Sequence, residues 1–131
     1  MRCSGILMPI TALPSAHGVG TLGLEAYTFI DFLSAAGQTI WQVLPHGPTG
    51  FGDSPYQTFS AFAGNPYLID LDLLCQNGYL LPEELREDFG HNSEQVDYGK
   101  LFKNRTKVLA KAAARQNKAA PDYLAFCREN E

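Results

Sequence analysis

Thr39-Ile40-Trp41-Gln42-Val43-Leu44-Pro45 is the stretch that decides the fold. Its β-branched and aromatic residues read as a strand, and Pro45 ends it. Upstream, Ile6-Leu7-Met8-Pro9-Ile10 is a short apolar run closed by proline and turn residues, a candidate buried strand. Between the two, Ala26, Phe29, Ile30 and Leu33 recur at i, i+3, i+4 and i+7, which puts them on one helical face. Gly37 follows as a stop signal. Strand, helix, strand with short links is a βαβ unit, so the two strands are expected to run parallel. Tyr67 to Leu71 reads as a third strand after a long connection.

From Leu73 onward the pattern turns helical. Cys75-Gln76-Asn77-Gly78 ends a short helix, and Pro82-Glu83-Glu84 opens another segment. A longer helix is expected from about Tyr98, with Leu101, Arg105, Val108 and Ala112 on one side, and Pro121-Asp122 starts a last one. Two or three parallel strands neither cover both faces of a sheet nor close its edges. The pattern therefore predicts an α/β chain that opens a barrel or doubly wound domain. Residues 1–72 are expected to supply its first strands and helices and 73–131 a helical region, with the rest expected beyond Glu131.

The 131 residues suit one domain, and a hydrophobic share of 45% suffices for a core. Net charge is −4. Lys100, Lys103, Arg105, Lys107, Lys111 and Arg115 sit at helical spacing and read as a solvated helix face, so no nucleic-acid partner is expected. No segment approaches the ~20 apolar residues of a membrane span. The start, with Pro9 and Pro14 in its apolar run, does not read as a signal peptide, so a cytoplasmic location is expected. Cys3, Cys75 and Cys127 are odd in number and far apart, which suits buried free thiols in a reducing compartment. No CxxC or HxH spacing occurs, so neither metal nor cofactor is expected.

Gly18-Val19-Gly20-Thr21-Leu22-Gly23 matches GxGxxG ahead of a helix. A dinucleotide site needs the first glycine directly after the strand and an acid at the end of the second strand. Here Thr11 to His17 intervene, and Leu44-Pro45-His46 holds no carboxylate. The glycines read instead as permitting an irregular loop and a close helix start.

The long connection from Pro45 to Pro66 follows the carboxyl end of the second strand, where barrels of alternating strands and helices build their active face. It offers Phe51, Tyr56 and Phe59 as flat apolar faces and Asp53, Ser54, Gln57 and Asn65 as hydrogen-bonding groups. A sugar ring has an apolar C–H face and a rim of hydroxyls, so its pocket pairs an aromatic platform with a few polar groups. The same composition suits a loop stiffened by prolines and packed on its own aromatics.

Gly52-Asp53-Ser54-Pro55-Tyr56-Gln57, followed by Phe59-Ser60-Ala61-Phe62-Ala63-Gly64-Asn65-Pro66-Tyr67, closely resembles the signature stretch of the 4-α-glucanotransferases, the amylomaltases or disproportionating enzymes. Ser4-Gly5-Ile6-Leu7, Leu13-Pro14-Ser15, Trp41-Gln42-Val43-Leu44-Pro45 and Val96-Asp97-Tyr98-Gly99 resemble further stretches of that family. His17 and His46 depart from it, and Phe51 stands where the family often has Tyr.

The resemblance implies a (β/α)8 TIM barrel, of which this chain is the incomplete amino-terminal part, with the start of an inserted helical region. It implies retaining transfer of α-1,4-glucan segments between maltooligosaccharides by an Asp nucleophile, a Glu acid–base and a second Asp. All three are expected downstream of Glu131, so this chain alone is expected to be inactive. By resemblance Tyr56 faces the sugar, Asp53 and Ser54 shape the donor side, and Phe51 and Tyr98 match positions lining a second glucan groove. The implied partners are α-1,4-glucans and maltooligosaccharides. Asp70 and Asp72, two apart on the third predicted strand, would lie ~6.6–7 Å apart on one face, yet they read as structural. A non-catalytic α-glucan-binding module and an inactive structural fragment are the other readings.

Overall fold

The computed structural model describes residues 2–50, 52–90, 92 and 94–130. Strands β1 (Gly5–Leu7) and β2 (Ile40–Gln42) pair in parallel, with Ile6 opposite Trp41. The Met8 N–H extends the ladder to the Gln42 carbonyl at 3.0 Å. Helix α1 (Leu24–Ala35) makes the crossover, as its spacing predicts. It ends in two back-bonds that satisfy its last carbonyls: Gly37 N–H to Ser34 O at 3.0 Å and Gln38 N–H to Leu33 O at 2.9 Å. Gly37 takes φ +71° there.

Ala26 and Leu33 of α1 are buried, and Phe29 meets Trp41 edge to face with ring centroids 5.0 Å apart. Ile30 is turned out to solvent. The first strand is not buried as its apolar run predicts: Ile6 and Leu7 are 41% and 58% exposed, and Ile40 beside them 47%. A two-stranded sheet has only α1 against it, and Trp41 is the one strand residue that this packing half-covers.

The third predicted strand is absent. The Asn65 carboxamide oxygen accepts from the Tyr67 N–H at 2.9 Å and starts a 3-10 turn over Pro66–Leu68. The Asp70 carboxylate accepts from the Leu73 N–H at 2.8 Å and caps α2 (Leu71–Gln76). Two side-chain caps this close give the backbone helical starts in place of a ladder. Asp70 and Asp72 therefore share no strand face. Asp70 also accepts the Thr21 hydroxyl at 2.6 Å, and Asp72 meets the His17 ring at 3.1 Å.

A 3-10 turn over Pro82–Arg86 follows. Asp97 then caps α3 (Tyr98–Lys100), which runs through a π-turn at Leu101–Arg105 into α4 (Thr106–Ala114); α5 spans Pro121–Glu129. The larger core joins Val19 and Leu71 to Leu80, Phe89, Leu101, Val108 and Ala112. A smaller one gathers Ile10, Leu13, Ala26 and Leu68. Cys75 and Cys127 are half-buried and Cys3 is exposed, so the free cysteines are not the buried set their spacing suggests.

The charged cluster on the long helix also divides. Lys100 pairs with Asp88 at 2.7 Å, and Lys111 and Arg115 reach Glu84. Arg105 is 0% exposed and is no part of a solvated face. Its guanidinium donates to the His17 carbonyl at 3.3 Å and to the Ile69 carbonyl at 2.5 Å. Burial pulls its pKa down to about 10, against the opposing pull of Asp70, so it stays a cation at neutral pH.

Glu84 fastens the 82–86 turn to α4. Arg115 grips it through both carboxylate oxygens, at 2.5 and 3.0 Å, and the Leu81 N–H donates to it at 2.9 Å. The Arg115 bonds, then the Leu81 N–H, lower its pKa from 4.5 to about 2. A carboxyl depressed on folding stabilises fully above its unfolded value, and that stability fades as pH falls through the folded one. Between pH 4.5 and about 2, wild type is therefore expected to lose melting temperature faster than Glu84→Gln. Parallel melting curves for the two proteins over that window would show that the grip adds nothing.

Candidate functional site

Both connections that build the site leave the carboxyl ends of the parallel strands. The Trp41 indole N–H donates to the Met8 carbonyl at 2.8 Å and holds the two exits together. Loop 45–66 is pinned at its neck by the Asn65 N–H to the His46 carbonyl at 2.7 Å. Higher up, Thr49 and Thr58 form an antiparallel bridge, and the Thr58 hydroxyl donates to the Ser60 carbonyl at 2.8 Å. Asn65, in the signature stretch, and Thr58, between its two parts, are thus used up in holding the loop's shape.

At the tip, the Asp53 N–H closes a turn to the Gly50 carbonyl at 3.2 Å, and the Gln57 N–H closes the next to the Ser54 carbonyl at 3.0 Å. The Ser54 hydroxyl accepts from the Tyr56 N–H at 3.4 Å. Tyr56 rides on this frame 72% exposed; Phe59 and Phe62 are 77% and 100% exposed. The loop is therefore not packed on these three rings. It holds them outward, as an aromatic platform requires.

Asp53 and Tyr98 meet in a crevice with Ile10, Leu44, His46, Pro55 and Leu68. Its volume is about 40 Å³, well short of the ~300 Å³ where ligand pockets begin. Tyr98 also packs on Tyr67 with ring centroids 6.1 Å apart. Burial, then the Asp53 charge, raises the pKa of both phenols. Tyr98 thus stands beside loop 45–66, while Phe51 lies outside the described residues. Sequence reasoning missed Tyr67 as the ring joining loop to helix, and Arg105 as the tie between the His17 and Ile69 carbonyls. Arg105 did leave a signal: a lone cation on the apolar side of its own helix.

The glycine motif is explained by packing. A Cβ on Gly18 would stand 2.0 Å from the Phe89 carbonyl oxygen, one on Gly20 2.1 Å from the Ile10 carbonyl oxygen, and one on Gly23 2.0 Å from an Asp70 carboxylate oxygen. Among the described residues no group of His, Cys, Asp and Glu is arranged to hold a metal ion, and no helix is long and apolar enough to cross a membrane.

Residues 8–131 match the family described as 4-alpha-glucanotransferase. The 4-alpha-glucanotransferase of Thermus thermophilus is 51% identical over 99% of this chain, and that of Clostridium butyricum 49% identical over 95%. Each match covers 26% of the relative, so the chain spans about a quarter of their length. The solved amylomaltase of Streptococcus agalactiae, in complex with acarbose, superposes with a TM-score of 0.92 at 46% identity, covering 99% of this chain and 27% of that one. The βαβ opening, the pinned aromatic loop and a match over nearly every residue agree: the chain belongs to the 4-alpha-glucanotransferase family.

Proposed function

We propose that this chain forms the opening strands and helices of a (β/α)8 transferase barrel and carries one side of its glucan site. The complete enzyme moves α-1,4-glucan segments between maltooligosaccharides with retention, its catalytic Asp and Glu supplied from outside residues 1–131. The observation that carries the reading is the exposed Tyr56 ring on a braced loop at the carboxyl end of β2. Acarbose, held by the Streptococcus agalactiae amylomaltase, belongs to the same ligand class. Ser54 and Asp53 shape the donor side, residues 1–72 belong to the barrel and residues 73–131 to an inserted helical region.

The reading is tested by fusing residues 1–131 to the remaining three quarters of the Thermus thermophilus relative. The fusion is expected to convert maltotriose into glucose and longer glucans, whereas the chain alone gives neither. A ring under the sugar favours the flattened, positively charged transition state through its π face. Tyr56→Ala should therefore lower kcat by roughly thirtyfold, a loss of ~2 kcal/mol, with Tyr56→Phe far milder. Normal kcat in a well-folded Tyr56→Ala fusion would reduce the ring to surface decoration.

A further inference from the structure

We infer that Asp53 is a positioning residue, which holds the glucan loop in a left-handed kink that aims Tyr56, and that it does not itself grip the sugar. The inference rests on the functional reading above and sharpens it for one residue.

Asp53 has φ +53°, the one non-glycine residue in the left-handed region among those described. It follows Gly52 at φ +90°, so two left-handed residues in succession redirect the chain just ahead of Tyr56. A side chain with a Cβ disfavours that backbone, Asp and Asn least, because a short polar group can bond locally. Such a conformation persists only where the surroundings fix it.

The surroundings here are named. The Asp53 N–H is tied to the Gly50 carbonyl, and the carboxylate accepts the Thr49 hydroxyl at 3.2 Å. Thr49 is itself bridged to Thr58 across the loop. The carboxylate is thus turned back onto the loop's own stem. It lines the crevice with Tyr98, whose volume of about 40 Å³ admits no hexose. Its charge is felt by the Tyr67 and Tyr98 hydroxyls on the inner side of the loop. Tyr56 points outward from the same frame, largely exposed.

Three substitutions separate the two roles. Asn keeps both the backbone preference and the acceptor for Thr49. Gly keeps the backbone and loses the acceptor. Ala loses both. In the fused transferase, kcat on maltotriose is expected to fall about twofold for Asp53→Asn, about threefold for Asp53→Gly and about tenfold for Asp53→Ala, with KM little changed. A carboxylate that gripped sugar would instead make Gly and Ala equally poor and raise KM. That pattern, or an Asp53→Ala enzyme as active as wild type, overturns the inference. The thermal melt of the fused protein supplies a readout independent of activity: Asp53→Gly should melt above Asp53→Ala. If wild-type fusion shows no transfer while that melting order holds, the functional reading fails and the kink stands. If the order reverses, the kink fails whatever the activity.

Discussion

Arg105→Ala is expected to destabilise the chain by about 4 kcal/mol, near the limit for one substitution and a large share of a typical domain's stability. The guanidinium is fully buried and spans two carbonyls that belong to different segments, His17 in the first loop and Ile69 just ahead of α2. Truncation leaves both acceptors dry, at ~1–3 kcal/mol each, and opens a void between the first loop and the segment ahead of α2. Arg105→Lys should recover little, since one ammonium on a flexible stem cannot reach two carbonyls in a fixed fork. Arg105→Met restores most of the volume without the donors, so its difference from Ala isolates the packing. Urea midpoints for the three variants decide the matter. A midpoint for Arg105→Ala within ~0.2 M of wild type, which at the usual slope of ~1–3 kcal/mol per M is a loss below ~0.6 kcal/mol, would show that the tie is dispensable.

Gly18→Ala should cost about 3 kcal/mol, from a strained backbone and an overpacked contact together. The residue sits at φ +80°, and the added methyl would be driven into the Phe89 carbonyl and Cβ, which are backbone-anchored and cannot swing aside. Gly37 is the control. Its φ is +71°, yet a Cβ there meets nothing within 4 Å. Gly37→Ala therefore reports the backbone penalty alone, ~1 kcal/mol. The gap between the two melting temperatures measures how tightly the first loop is pressed onto Phe89. Equal losses would mean the loop can retreat from that contact.

The βαβ opening was legible because it is local: apolar spacing, a stop glycine and a proline-ended strand all act within a few residues. The signature stretch was legible as the family's because it is long and contiguous. What the sequence hid was non-local. Tyr67 to Leu71 has the composition of a strand, and only the caps supplied by Asn65 and Asp70 turn it helical. Arg105 stands on the apolar side of its helix, but what holds it there is a pair of carbonyls 88 and 36 residues away, which spacing does not show. Composition offers Asp53 as a polar group for the sugar, while its φ of +53° is a backbone property that no composition reveals.

The π-turn at Leu101–Arg105 bears on how such a helix can change over generations. A π-turn closes i→i+5 bonds, so it lodges one residue more than a regular helix would over the same rise. Each residue of an α-helix advances the face by ~100°. An insertion absorbed in this way leaves both flanks in phase, Tyr98 against Tyr67 on the amino side and Val108 and Ala112 in the larger core on the other. The segment behaves as a slip joint: length can be gained there while the two flanks keep their bearings.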